Sequence, residues 1–377
     1  MFGDKKLGFG CMRLPLLDAG DPTKIDLEQT EKMVDLFLQQ GFTYFDTGHP
    51  YHNGFSEKVV GTALVKRHPR DSFTIADKLP MFRQPREDEL PGIFQEQLER
   101  LQTDYIDFYL LHNPHGEAYE NAEKVHAFDF VRKLKEEGKV KHIGFSIHDS
   151  ADHIDRILTL HPEMEFVQIQ LNYIDWENEG IQAKKCYEVC QKHGKPVIVM
   201  EPVKGGTLVN LPEAAEELLK NADPHASLAS WAIRYAASLD GVKMVLSGMS
   251  SLEQMEDNLS YMKDFRPFSE AEYETVGKVV GIINSSIAIP CTACQYCVKD
   301  CPKQIPIPTY FALYNAEKQD NKHAWKSQGD YYASLASRGS AASDCIKCGK
   351  CESLCPQHLP IREHLHQVAV ALERDEN

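Results

Sequence analysis

Apolar residues in the first two-thirds of the chain come in short unbroken runs. Between the runs they recur every three to four positions instead. The runs are LGFGCMRL (7–14), FTYFDTG (42–48), SFTIADKL (72–79), YIDFYLLH (105–112), VKHIGFSIH (140–148), FVQIQLNY (166–173), KPVIVMEPV (195–203) and VKMVLSGM (242–249). Continuous apolar runs of strand length mark strands buried on both faces, the pattern of a parallel sheet covered by helices. The intervening stretches Leu27–Gln40, Glu89–Leu101 and Val125–Glu137 carry one apolar face each and read as amphipathic helices. Strand–helix alternation predicts an α/β fold, and eight units is the number that closes a (β/α)8 TIM barrel. An open doubly wound sheet is the alternative. The pair Gly8-x-Gly10 is not followed by a helix carrying a third glycine, so it reads as a turn rather than a dinucleotide fingerprint.

After Tyr273 the pattern changes. The segment 281–308 is rich in Cys, Pro and Ile and lacks strand alternation. Eight of the eleven cysteines fall into two copies of Cys-x2-Cys-x2-Cys-x3-Cys-Pro: Cys291, Cys294, Cys297 and Cys301, then Cys345, Cys348, Cys351 and Cys355. Three thiolates at this spacing wrap one face of a cubane, and the fourth, before the proline, points to the other cluster. The expectation is two [4Fe-4S] clusters with crossed ligation. Cys291, Cys294, Cys297 and Cys355 hold one; Cys345, Cys348, Cys351 and Cys301 hold the other. Zinc is the competitor, but its sites use paired hooks separated by longer loops. Disulfides fit worst, since the start MFGDKKLGFG lacks a signal-peptide stretch and a chain this long needs no staples. Between the two cysteine runs, FALYNAEKQ and GDYYASLAS have helical character. A small, mostly α-helical ferredoxin-like module is therefore expected over 276–377, following a barrel over 1–275. Cys11, Cys186 and Cys190 read as core residues.

The 377 residues hold 42% hydrophobics, enough for a globular core, and no apolar run is long enough to cross a membrane. The net charge of −15 argues against nucleic acid or an anionic membrane as partner. Oxygen-sensitive clusters in a chain without an export signal suggest a cytoplasmic protein.

Catalytic side chains of a TIM barrel sit at the C-terminal ends of its strands. Asp46, Lys78 and His112 lie at the ends of the second, third and fourth predicted strands, and Tyr51 follows Asp46 in the loop. Together they form a proton-transfer constellation. A phenol at its ordinary pKa of ~10 is a weak acid. A neighbouring ammonium stabilises the phenolate, a carboxylate holds the ammonium, and an imidazole orients a carbonyl. A single Asp or Lys at a strand end is more often a salt-bridge or capping group; four in register are harder to explain that way. His49, His52, His112, His115 and His148 also lie near strand ends, which leaves a mononuclear metal as a weaker alternative. Lys204-Gly205-Gly206 reads as a turn that could meet a phosphate, and Glu201 as a pocket acid or salt-bridge partner.

At these residues the chain resembles the aldo-keto reductase family. GFTYFDTGHPYHNGFSEKVVGTAL (41–64) looks like its first signature and LERLQTDYIDFYLLHNP (98–114) like its second, with Lys78 in IADKLP matching the family's lysine. The resemblance covers about residues 7–260. It implies Tyr51 as general acid/base, Lys78 and Asp46 as its tuners, and His112 as the group that orients a substrate carbonyl. It also implies NAD(H) or NADP(H), with Ser146 and Gln168 on the nicotinamide carboxamide and Asn258 near the adenine. Four departures stand out. Ile147 and His148 follow Ser146 where the family has Asn. Met200 replaces an aromatic expected to stack on the nicotinamide. The stretch LSGMSSLEQMEDNL (246–259), whose Ser247 is a further candidate contact, offers the uncharged Gly248 and Gln254 where two cations would meet a 2′-phosphate, so NAD becomes at least as good a candidate as NADP. The tail that shapes the family's substrate pocket is here the cluster module. A hydride carries two electrons and a [4Fe-4S] centre takes one, so a flavin is the candidate converter. The expected function is carbonyl/alcohol redox chemistry in the barrel, with clusters exchanging electrons with its cofactor and a ferredoxin as candidate partner. The rivals are a redox sensor or electron carrier on a non-catalytic barrel, and an ordinary reductase with structural clusters.

Overall fold

The structure is a computed structural model that describes residues 1–285, 287–291, 293–319 and 327–373. Eight strands form one closed barrel: β1 (Leu7–Gly10), β2 (Tyr44–Asp46), β3 (Thr74–Leu79), β4 (Ile106–His112), β5 (Val140–Ile147), β6 (Phe166–Gln170), β7 (Val197–Met200) and β8 (Val242–Ser247). All neighbours are parallel and follow chain order, with β1 closing on β8. Each strand lies inside one of the eight apolar runs, and the closed barrel replaces the open-sheet alternative. Several runs outlast their strands. The first leaves the sheet at Gly10 and turns through Cys11–Arg13, yet Cys11 and Leu14 stay buried, which is why apolarity continues past the strand end.

The barrel interior holds an apolar plug of Tyr44, Ala76, Phe108, Leu110, Phe166, Ile198, Met244 and Leu246, with Phe2 stacked on Phe108 from below at 5.1 Å. Such layers make the barrel a packed core rather than a pore. The three helices expected from periodicity appear at Leu27–Gln39, Leu90–Leu101 and Ala127–Glu136. Asp26 caps the first of these, accepting a hydrogen bond from the Gln29 amide at 3.0 Å.

The helix Glu270–Asn284 starts from a capping box, in which the Ser269 amide donates to Glu272 Oε2 at 2.7 Å. It packs on the barrel helix Glu213–Ala222 and runs unbroken through 275–276, so the chain leaves the barrel layer only after it. Beyond it the described residues are helical: Tyr296–Lys299, Ile307–Gln319, Gln328–Ser337, Lys350–Ser353 and Ile361–Leu372. The helix Gln328–Ser337 lies on the C-terminal ends of the barrel strands. Arg338 forms a two-pronged ion pair with Asp149, just past β5, at 2.6 and 2.9 Å, and Ser334 Oγ donates to the same carboxylate. Asn113 Nδ2 donates to Asp330 at 3.2 Å. A Cβ on Gly180 would sit 2.8 Å from Leu313 Cγ, so only glycine lets that barrel loop close onto the helix Ile307–Gln319.

Candidate active site

Asp46 ends β2, Lys78 is the last residue but one of β3, and both lie above the apolar plug. The β2–β3 register pairs Asp46 with Ala76, and Lys78, two residues on, shares that face. Lys78 Nζ lies 2.6 Å from Asp46 Oδ1 and also donates to the Thr47 carbonyl. Its ammonium stands 4.7 Å from the centre of the Tyr51 ring, and that ring meets His112 edge-on at 6.0 Å between centroids. Phe82, from the loop after β3, meets the other side of His112 at 5.5 Å. The four residues expected at the strand ends are thus gathered at one place.

Burial sets their acidity. Burial alone would lower the Lys78 ammonium, but Asp46 and Tyr51 outweigh it and hold the ammonium above its usual range. Burial pushes the Tyr51 phenol up, with Lys78 pulling against it; the ammonium acts in the expected direction, but desolvation is the larger effect. His112 falls well below its ordinary value, first through burial and then through Lys78, His148 and His49. It is neutral at pH 7 and can donate a hydrogen bond without carrying charge.

His112, Ser146 and Gln168 form a row across the barrel wall, since His112 pairs with Ser146 on β4–β5 and Ser146 with Gln168 on β5–β6. Ser146 Oγ and Gln168 Oε1 are buried and have no hydrogen-bond partner among the described residues. Buried polar atoms are rarely left so, and a carboxamide, with one acceptor and two donors, would satisfy both. The residues present therefore fit a nicotinamide at this wall. Met200 stands beside it, its sulfur 3.7 Å from Gln168 Nε2.

At the other end of the expected cofactor groove the side chains are less open. Asn258 donates to Ser247 Oγ at 2.7 Å and accepts from the Tyr261 hydroxyl at 2.6 Å, so most of its amide is committed within the fold. Gln254 Oε1 accepts from the Ser250 amide at 2.8 Å. Gly248 is exposed, and the Arg13 side chain lies 3.2 Å from where its Cβ would be. A cation does approach this loop, from the turn after β1, and no local pattern signals it. Lys204 does not serve a phosphate: its ammonium is fully buried against Asp175 at 2.7 and 2.9 Å, while Gly205 and Gly206 make the turn at φ 61° and 102°.

The cluster module roofs the site. Tyr331 is buried and meets His148 edge-on at 5.6 Å. Asn113, left-handed at φ 52°, accepts the His148 amide at 2.9 Å while its Nδ2 reaches Asp330. Tyr332, the residue after Tyr331, meets Tyr310 of the module in a tilted ring contact at 4.6 Å. None of these roof residues was expected to be functional. His52 turns from the site: its ring accepts the Leu14 amide and bonds the Pro22 carbonyl.

The eight motif cysteines line two small cavities that open to solvent. Cys291, Cys294, Cys297 and Cys355 line one; Cys301, Cys345, Cys348 and Cys351 line the other. Each cavity thus takes three cysteines from one run and one from the other. Among the described residues no three His, Cys, Asp or Glu side chains converge on one point closely enough for a single ion. Four cysteines around each cavity, three from one run and one from the other, are the donor set that a [4Fe-4S] cluster takes. Among the described residues the histidines form no such group either. Cys11, Cys186 and Cys190 are buried elsewhere.

Comparison with known proteins agrees with this architecture. The sequence profile of the Aldo/keto reductase family matches residues 6–280, and that of the 4Fe-4S dicluster domain matches 290–359. The chain is 23% identical over 285 residues to "Uncharacterized oxidoreductase YqkF" of Bacillus subtilis, covering 67% of this chain and 86% of that one. It is 27% identical over 277 residues to the "NADH-specific methylglyoxal reductase" of Escherichia coli, covering 60% and 81%. Among solved structures, the holo form of aldo-keto reductase AKR11C1 from Bacillus halodurans superposes with a TM-score of 0.60 at 27% identity, covering 74% of this chain and 95% of that one.

Proposed function

The chain belongs to the aldo/keto reductase family, and from that premise we propose that its barrel interconverts a small-molecule carbonyl and the corresponding alcohol. The observation that carries this reading is the buried Lys78–Asp46 pair set against Tyr51 beside a neutral His112. A nicotinamide, NAD(H) or NADP(H), supplies or accepts the hydride when bound, with Ser146 and Gln168 on its carboxamide and Met200 beside it. Ser247, Gly248, Gln254 and Asn258 form the nucleotide end. Tyr51 Oη gives its proton to the carbonyl oxygen in reduction and takes it back in oxidation. Lys78 Nζ offsets the negative charge left on Tyr51 Oη once its proton has gone. Asp46 holds Lys78 in place. The uncharged His112 donates to the carbonyl oxygen and fixes its direction. The roof of Asp330 and Tyr331 keeps bulk water from the site. Replacing Tyr51 with Phe is expected to abolish nicotinamide-linked turnover over a carbonyl panel while leaving iron content unchanged. Undiminished turnover would defeat the assignment.

The module over 276–377 completes this function as an electron relay, with the helix Glu270–Asn284 bridging it to the barrel of 1–275. Cys291, Cys294, Cys297 and Cys355 would hold one [4Fe-4S] cluster and Cys301, Cys345, Cys348 and Cys351 the other; bound there, the clusters would supply single-electron exchange with the barrel cofactor, for which a flavin would be the converter between hydride and single electrons. Seating of the module on the strand ends through Arg338, Asp330 and Tyr331 supports this. NADH, rather than NADPH, is favoured by the two uncharged positions Gly248 and Gln254 and by the name of the E. coli relative; Arg13 beside Gly248 is the residue that would reverse the preference. Among the described residues no helix is long and apolar enough to cross a membrane. Cytoplasmic function, where reduced clusters persist, is consistent with that.

A further inference from the structure

The loops around the two cysteine cavities carry a surface unlike that of the barrel. Cys294 and Cys348, one from each quartet, are exposed, while Cys297 and Cys351 are buried. Each cavity therefore has an edge on solvent. Around these edges Tyr296 is 56% exposed, Ile346 57% and Leu354 39%. The short helices Tyr296–Lys299 and Lys350–Ser353 pack on one another, so the two edges share a face.

Its charge is also unusual. On the barrel, lysines are commonly met by carboxylates: Lys32 by Glu28, Lys135 by Glu165, Lys192 by Asp155. In the cluster loops Lys299, Lys303, Lys347 and Lys350 are exposed, and none forms an ion pair among the described residues. The carboxylates within 291–304 and 345–358 are Asp300 and Glu352, and Glu352 is taken by Arg362 at 2.7 Å. A cationic rim around an apolar centre thus stands on a chain of net charge −15. That is the anatomy of a docking site, where the apolar centre is desolvated and the rim steers the encounter.

We propose that this face docks a small acidic one-electron carrier protein, which passes electrons through the Cys294 and Cys348 edges. The inference rests on the clusters being bound as in the proposed function. Each encounter oxidises the carrier's reduced centre by one electron and reduces one [4Fe-4S] centre by one, with no bond made or broken. Two encounters match the two electrons of one hydride.

The test is anaerobic stopped-flow mixing of the oxidised, cluster-loaded protein with a reduced small acidic ferredoxin, following the iron–sulfur absorbance. The second-order rate is expected to fall at least ~10-fold between about 0.02 M and about 0.5 M salt. The variant K347E/K350E is expected to lose about 10-fold at low salt. Its cluster content, reduction by dithionite and cluster potentials in an equilibrium titration are expected to stay as in the parent. A rate indifferent to salt overturns the proposal. So do potentials that shift with the rate, because the lysines would then only balance cluster charge. Self-association that disappears in K347E/K350E overturns it too, by making a second copy of the chain the occupant. Clusters reduced by dithionite but not by the carrier overturn this inference alone; clusters reduced by neither overturn the redox reading beneath it as well.

Discussion

Lys78→Met removes one member of the buried pair at the centre of the site. The Lys78 side chain is fully buried 2.6 Å from Asp46, and Asp46 Oδ2 has no hydrogen-bond partner among the described residues. Methionine nearly fills the volume but leaves the carboxylate alone. Stripping a buried charge of its partner costs about 3–5 kcal/mol. Proton uptake by Asp46 limits that charge penalty. Lifting a carboxyl from an ordinary pKa of ~3.9 to the solution pH costs about 1.4 kcal/mol per unit, hence at most about 4 kcal/mol at pH 7 and about 1.5 kcal/mol at pH 5. The deficit should therefore be large at neutral pH and shrink on acidification. Asp46→Asn added to Lys78→Met removes the stranded charge and should recover most of the stability. Neither variant should recover turnover, which is expected to fall ~10²–10⁴-fold once nothing opposes the burial of Tyr51. The assay is urea unfolding of the cluster-loaded protein by circular dichroism at both pH values, with turnover measured alongside. A deficit below about 1 kcal/mol at pH 7, or one that does not shrink at pH 5, would refute the pairing.

Three further outcomes are expected. Arg338→Ala unties the roof from Asp149; with the Arg338 side chain 35% exposed, solvent screening reduces the stability loss to about 1–2 kcal/mol, while KM for the carbonyl substrate should rise several-fold at unchanged iron content. An unchanged KM would show that the roof does not shape the pocket. Burial holds the His148 imidazole down at about 4, so below its ordinary ~6.5 the unfolded chain takes up a proton that the fold refuses. Stability should fall from pH 6.5 towards 4, by about 2 kcal/mol at pH 5 from this group, and His148→Gln should flatten the curve by that amount; a parallel curve would contradict the burial argument. Cys301→Ser should damage the cluster held with Cys345, Cys348 and Cys351 and spare the other, as read by electron paramagnetic resonance; the reverse would uncross the ligation.

The barrel was legible because its strands are buried on both faces and read as unbroken apolar runs. Once the strand ends were placed, Asp46, Lys78 and His112 followed, since a C-terminal strand end in a barrel has one destination. The cysteine motifs were legible for a similar reason: their spacing is a local constraint, and the cavities divide the residues three and one. What the chain did not announce was long-range partner choice. Asp149, just past β5, meets Arg338, 189 positions later. Arg13, in the turn after β1, lies against Gly248, far along the chain. Asp330 and Tyr331 sit in an ordinary helical stretch, and only docking makes them the roof. The sign of the Lys78 effect on Tyr51 was readable; its defeat by burial was not, because desolvation depends on packing around the whole mouth.

The central claim is that barrel cofactor and clusters exchange electrons. It is tested most directly by the anaerobic visible spectrum of the cluster-loaded protein before and after NADH. Bleaching of the iron–sulfur band, absent from Cys301→Ser for the affected cluster, is the expected result. A band that NADH leaves unchanged, and NADPH too, while dithionite bleaches it, would contradict the claim and leave the clusters as the scaffold of the roof.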